Sequence, residues 1–304
     1  MRKKSGGLVR ERPAVIYAAI ADWAAADAYP VDFMCRQLDV SRSGYYKWRG
    51  HRPSAREQAD QTLRQLVKKL FAVLNKPGVR RLQAELRVRG WQVSKKRVWR
   101  LMRLCQLAGR HPRTRKKTTI QSDRPQVAPD LVGRQFTAEQ PNQKWCGDIT
   151  YVKTWRGWAY LATVIDLYSR KLVGWAVADH LETSLVIDAL AVAVASRRPD
   201  SVIFHSDRAV TSGGFARFCA AHNITRSLGR TGDCFDNAVA ESFNATYKKE
   251  LVCTRPQPDM ASLRKATFEW VERHYNRTRR HSYLGYLTIE EFELGYTNID
   301  QLAA

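Results

Sequence analysis

Residues 144–179 read KWCGDITYVKTWRGWAYLATVIDLYSRKLVGWAVAD. β-branched and aromatic residues dominate three runs. Trp155-Arg156-Gly157-Trp158 breaks the first from the second, and a short polar break near Arg170 precedes the third. Strand-like runs joined by such short turns predict an antiparallel meander. Downstream, TSLVIDALAVAVASR (183–197) reads as a helix, SVIFHSD (201–207) as a fourth strand and TSGGFARFCAAH (211–222) as a helix. NITRSL (223–228) is a short fifth strand, followed by the polar loop GRTGDCF (229–235). DNAVAESFNATYKKELV (236–252) is a helix with Asp236 as its expected cap. The order βββαβαβα predicts an α/β fold with one mixed five-stranded sheet flanked by helices.

The region before this sheet is helical. Residues 14–28 read as a helix, and FMCRQLDVSRSGYYKWRG (33–50) as helix, turn, helix with Ser41 as a cap. A longer unit spans 57–107. Its first helix carries Leu63, Leu66, Leu70 and Val73 at helical spacing, and its second stops near Gly90. A Trp91-Gln92-Val93-Ser94 turn then leads to a third helix beginning Lys95-Lys96-Arg97. This is helix-turn-helix spacing, and the third helix, with Lys95, Lys96, Arg97 and Arg100, is the expected reader of a DNA groove. Residues 108–140 lose apolar periodicity and form a linker, whose basic cluster Arg113, Arg115, Lys116 and Lys117 is expected to track phosphates. The expected division is therefore an N-terminal helical region (1–56), a helix-turn-helix region (57–107), a basic linker (108–140), a catalytic α/β core (141–252) and a helical tail (253–304).

Charge follows the same division. The chain of 304 residues has a formal net charge of +22. Residues 1–140 hold 31 Lys and Arg against 11 Asp and Glu, whereas residues 141–304 hold 20 against 18. A basic half of this kind binds a polyanion through counterion release. No uncharged apolar run approaches the roughly 18 residues that a membrane span needs. Asp22 and Asp27 interrupt the apolar N-terminal stretch, so an amphipathic helix is expected there rather than a signal peptide, and a cytoplasmic location follows. The six cysteines are scattered without a CxxC pair, which predicts reduced thiols rather than a zinc site.

Three acids stand where a sheet protein would place a metal site. Asp148 interrupts an apolar strand, a costly position unless the carboxylate is paired or bound to metal. Asp207 ends the fourth strand after Val202-Ile203-Phe204, and Glu241 lies on the Ala-rich last helix of the core. Clustered hard oxygen ligands suit Mg²⁺ or Mn²⁺, and two such ions support phosphoryl transfer without a protein nucleophile. Asn237, Glu241, Asn244 and Lys248 fall along one helix face, where Asn237 and Asn244 are expected to contact DNA and Lys248 to reach a phosphate. His205, two residues before Asp207, shares its strand face and either assists the site or packs. Asp233 and Asp236 read as turn and cap residues, and Asp166 and Asp188 as structural or surface acids.

The strings PNQKWCGDITYV, HSDR, SLGRTGDCFDNAVAESFNATYKKEL and YNRTRRHSYLGY resemble the OrfB component of insertion-sequence-3 family transposases over about residues 33–296. The resemblance implies a retroviral-integrase-like core on a ribonuclease H-like fold, with Asp148, Asp207 and Glu241 as its acidic triad. It implies two Mg²⁺ ions per site, with Mn²⁺ able to substitute, DNA-end cleavage by water, and attack of the freed 3′-OH on a second phosphodiester. It also implies transposon-end and target DNA as partners, a homo-oligomer on DNA, an OrfA partner or fusion, and a nucleoid-associated location. In YNRTRRHSYLGY, residues 275–286, Arg279, Arg280 and His281 are expected to contact phosphate, and Tyr275, Tyr283 and Tyr286 to pack the tail on the core. One departure stands out. The segment HSDRAVTS is two residues shorter than the family's usual form, leaving 33 residues between Asp207 and Glu241. The alternative reading is accordingly an impaired copy that only binds DNA.

Overall fold

The computed structural model describes residues 13–110, 129–206, 212–228 and 238–303. The chain divides into two compact units, Met1–Gln65 and Leu66–Ala304.

In the first unit, α1 (Pro13–Ala25), α2 (Val31–Gln37) and α3 (Arg42–Arg49) close around Ile16, Ile20, Met34, Cys35, Leu38 and Tyr45. Ser41 caps α3 as expected, its Oγ accepting from Gly44 N at 3.2 Å. Helix α4 (Ala55–Val73) begins two residues before the sequence reading starts it. Ser54 and Glu57 form a reciprocal capping box there: Glu57 N donates to Ser54 Oγ, and Ser54 N donates to Glu57 Oε2.

The second unit opens with the end of α4, then α5 (Val79–Val88) and α6 (Lys95–Leu104). Ser94 Oγ accepts from Arg97 N at 3.2 Å, and Gln83 Nε2 donates to Val93 O at 2.7 Å, which fixes the turn between α5 and α6. Leu82, Leu86, Val98 and Leu101 are fully buried between them.

The sheet follows. Its strands are β1 (Lys144–Thr154), β2 (Gly157–Asp166), β3 (Leu172–Ala178), β4 (Val202–Ser206) and β5 (Ile224–Leu228). They lie in the order β3-β2-β1-β4-β5. The first three strands pair antiparallel as a meander, and β4 and β5 add in parallel beside β1. A mixed five-stranded sheet with flanking helices is thus present.

One face of the sheet is covered by α7 (Thr183–Arg197) and α8 (Gly213–Ala221), over Trp145, Val164, Phe204 and Ile224. The other face is covered by α9 (Ala238–Tyr247), which runs on into a π-helical segment, Lys248–Val252. The expected tail, residues 253–304, supplies much of the core on this second face through its residues up to Phe292. In α10 (Met260–Glu269), the π-helical segment Trp270–Thr278, the 3₁₀ turn Ser282–Leu284 and α11 (Ile289–Ala303), the residues Leu263, Trp270, Val271, Tyr275, Leu284 and Ile289 pack on Phe243, Tyr247 and Leu251. Among the described residues, no helix is long and apolar enough to cross a membrane. The described cysteines, Cys35, Cys105, Cys146, Cys219 and Cys253, are free thiols.

Candidate active site

Strand alternation places Asp148 on the face of Cys146, toward α9. Asp148 is half-buried. Its Oδ1 accepts from the Ile149 amide at 2.8 Å, and its Oδ2 accepts from Asn244 Nδ2 at 2.6 Å. Thr163 Oγ1 donates to the Asp148 carbonyl at 3.1 Å, pinning the backbone from β2. The preceding residue must be small. A Cβ on Gly147 would lie 2.4 Å from the Phe204 ring and 3.1 Å from Thr163 O. Glycine there lets β4 close against β1, with Gly147 opposite Ser206. Asp207 is the next residue after β4 and lies outside the described residues.

Helix α9 delivers the other partners. Asn244, expected to contact DNA, is instead buried with its amide spent on Asp148, and Glu241, one turn earlier on the same side of the helix, is exposed. Lys248 follows one turn after Asn244, with Nζ 4.5 Å from the centroid of the Tyr151 ring. The α9–β1 contact therefore brings Asp148 and Asn244 together and sets Glu241 and Lys248 one turn away on either side. Asn237, Asp233 and Asp236 lie outside the described residues.

Of the two roles open to His205, the structure shows packing. The ring is buried, its Nδ1 lies 2.9 Å from Ser227 Oγ, and its edge meets Phe136. Asp166 is fully buried and accepts from the amides of Asn142 and Tyr168, a structural acid as expected. The shortened segment runs into Ser212, whose Oγ caps α8 by accepting from Phe215 N at 3.2 Å; residues 207–211 lie outside the described residues.

On α6, Lys95, Lys96 and Arg100 are exposed and Arg97 is half-buried. The same surface carries Trp99, which the sequence reading passes over, with the Arg103 guanidinium 4.9 Å from its ring centroid. A tryptophan exposed within a basic helix was the available signal. Arg113, Arg115, Lys116 and Lys117 lie outside the described residues.

The expected phosphate contacts of the C-terminal motif need correction. Arg280 is only 6% exposed and is taken up by carboxylates: its Nε donates to Glu85 Oε1 at 2.8 Å and its Nη1 to Glu291 Oε2 at 2.9 Å. Arg279 pairs with Glu250 at 3.2 Å. His281 is buried with Nε2 3.1 Å from Tyr275 O, and burial followed by the charge of Arg279 pushes its pKa down to about 3. The tyrosines divide. Tyr275 packs as expected against Phe243, with ring centroids 4.9 Å apart, but Tyr283 is exposed, with the Arg170 guanidinium stacked 3.8 Å above it.

Glu250 lies at the centre of this cluster and carries no signal in the sequence reading. It is 2% exposed, receives Arg81 Nη2 from α5 at 2.9 Å, and has His274 Nε2 3.3 Å away. Burial alone would raise its carboxyl. The His274 contact and the guanidiniums of Arg279 and Arg81 outweigh that and hold it well below the usual carboxylate range. Asn75 Nδ2 donates to the Glu250 carbonyl, and Arg110 Nη1 to the Lys249 carbonyl, each at 2.8 Å. The segment that continues α9 is thereby tied to α5, to the turn before it and to the segment after α6.

Comparison with known proteins agrees with this architecture. Residues 138–234 and 222–288 each match an Integrase core domain family, and residues 57–116 match an HTH-like domain family. The transposase for insertion sequence element IS629 of Shigella sonnei is 36% identical over 278 residues, covering 89% of this chain and 93% of the relative. Transposase InsF for insertion sequence IS3A of Escherichia coli (strain K12) is 37% identical over 277 residues, covering 87% and 94%. Among solved structures, the HTLV-2 integrase catalytic core domain in complex with magnesium (dimeric form) aligns with a TM-score of 0.39 at 20% identity, covering 51% of this chain and 97% of that one. An integrase core sheet with Asp148 held against α9, a helix-turn-helix region before it, and relatives matched along nearly their whole length lead to one conclusion: the chain belongs to the insertion-sequence-3 family of transposases.

Proposed function

We propose that this transposase cuts DNA ends and joins them to target DNA at a site formed by Asp148, Asp207 and Glu241, with Mg²⁺ as the resident ion and Mn²⁺ as a substitute. The observation that carries this reading is the Asn244–Asp148 hydrogen bond of 2.6 Å, which draws α9, and with it Glu241, to the strand that holds Asp148. The residues suit the group. A half-buried aspartate in an apolar strand, oriented by two donors, offers a hard carboxylate oxygen at the edge of solvent, and Glu241 adds a second hard donor from α9. Bound divalent ions would activate the attacking oxygen and stabilise the leaving one in an in-line displacement. Asn244 orients Asp148, and Lys248 is assigned to a phosphate of the bound strand.

DNA is held by the helix-turn-helix region, with Lys95, Lys96, Arg97 and Arg100 of α6 toward the groove, and by the basic linker residues Arg113, Arg115, Lys116 and Lys117. Asn237 is assigned to DNA beside the triad. The working form is a homo-oligomer on paired transposon ends, joined by an OrfA partner or fusion, in the bacterial cytoplasm and on the nucleoid.

Substitution tests the triad. Asp148→Asn, Asp207→Asn and Glu241→Gln should each abolish cleavage and joining in a strand-transfer assay while DNA binding persists, because the amide keeps the shape and removes the charge that balances the ions. Asp236→Asn should be mild, since Asn caps a helix about as well as Asp. Damage from Asp236→Asn equal to that from Glu241→Gln would overturn the choice of third carboxylate.

A further inference from the structure

The hairpin of β1 and β2, beyond the half of β1 that carries Asp148, leaves three large aromatic side chains open to solvent. Tyr151 is 54% exposed, Trp158 52%, and Trp155, at the turn, 76%. Tyr151 and Trp158 meet edge to face with ring centroids 5.4 Å apart. Cations stand among them. Lys153 Nζ lies 5.9 Å from the Trp158 centroid, Lys248 Nζ lies 4.5 Å from that of Tyr151, and Arg156 is exposed in the turn. Tyr151 is three residues along β1 from Asp148, a rise on the order of 10 Å, and alternation turns it to the other face of the strand; Lys248, one turn beyond Asn244, connects its ring to the candidate site.

Cross-strand contact accounts for part of this arrangement, because facing aromatics stabilise a hairpin. It does not account for Trp155, which lies beyond the ladder, or for the interleaved cations. The tip is held in place: Trp155 N donates to Gln257 O at 3.1 Å, and Thr154 Oγ1 to Gly157 O at 2.9 Å. A fixed, open aromatic patch of this kind marks an interaction surface. The charge selects the partner. Lysine is depleted at the centre of protein interfaces, whereas alternating rings and cations match a nucleic-acid strand, the rings taking bases and the cations phosphates. In a duplex the base faces are already stacked on one another, so only unpaired bases can use the rings.

We propose that the β1–β2 hairpin, through Tyr151, Trp155 and Trp158 with Lys153, Arg156 and Lys248, is a stacking platform for unpaired bases of the DNA strand next to the cleavage site. This rests on the assignment of Asp148 to that site.

The test uses the full-length protein without divalent ions, so that no chemistry intervenes. Two DNAs are compared, a blunt duplex and the same duplex with a short unpaired extension carrying 2-aminopurine. The platform quenches the fluorescence of the extension on binding. Trp155→Ala and Trp158→Ala should each weaken binding of the extended DNA by about tenfold and relieve the quenching, leaving the blunt duplex bound as before. Trp158→Phe, which keeps a ring, should recover most of the effect. Because Trp155 is at an exposed turn, its variant decides the matter even if Trp158→Ala folds poorly. Unchanged binding and quenching in Trp155→Ala and a folded Trp158→Ala would overturn the proposal. So would a change in oligomeric state by sedimentation with DNA binding intact, which would make the patch an interface between copies. Failure of the active-site assignment reads out differently, as strand transfer that survives Asp148→Asn.

Discussion

Asn244 is the residue on which the candidate site turns, since its amide holds one oxygen of Asp148 while the Ile149 amide holds the other. Asn244→Ala should leave that carboxylate held on one side only, by the Ile149 amide. A misplacement of about 1 Å can slow chemistry on the order of 100-fold. Single-turnover strand transfer should fall by about that factor in this variant, with DNA affinity unchanged. His281 makes a second prediction. Burial, then the charge of Arg279, lowers its folded pKa to about 3 from the usual 6.5, so below 6.5 the unfolded chain takes up a proton that the folded chain refuses. This contribution to stability is complete above pH 6.5 and is lost as the pH falls toward 3, at about 1.4 kcal/mol per pH unit. Glu250, also held low, acts in the same direction below its ordinary value of 4.5. Melting temperatures should therefore drop between pH 7 and pH 5, and His281→Gln should flatten that dependence.

At the scale of elements, close approach decides where α7 sits. A Cβ on Gly174 of β3 would lie 2.2 Å from the Ala189 carbonyl oxygen and 2.8 Å from Ala193 Cβ. Gly174→Ala should destabilise the core by about 1–3 kcal/mol, read as a lower thermal midpoint, because the helix has to lift off the sheet. Elements governed by local chemistry were legible in advance. Ser41 and Ser94 cap α3 and α6 where a hydroxyl before a helical run predicts a cap, and the Trp155–Trp158 break joins β1 to β2 as a short turn. The capping box of Ser54 and Glu57 is just as local, and the sequence reading passes over it. The two π-helical segments were not legible, because they occur where α9 and α10 run into the buried cluster around Glu250 and Trp270, and no local pattern encodes that.

At the scale of the whole molecule, DNA affinity should fall steeply with salt, because the basic excess before residue 141 binds through counterion release. Replacing Lys95 or Lys96 by Ala should reduce the slope of log affinity against log salt by about one each, uniformly across DNA sequences. Unchanged slopes would remove α6 from the DNA-binding surface. Within Leu66–Ala304 the ion pairs Arg81–Glu250 and Arg280–Glu85 join residues 169 and 195 positions apart. The sequence by itself determined the order of strands and helices, the charge asymmetry, the family, and the acids offered for metal, since periodicity, turn chemistry and motif strings act over a few residues. Only the tertiary structure decided that Arg279, Arg280 and His281 serve the interior, that Asn244 holds Asp148, and that Leu263, Trp270, Tyr275 and Ile289 complete the core. A cationic side chain looks the same in the sequence whether it faces a phosphate or a buried carboxylate, and the choice depends on which distant acid the fold brings to it.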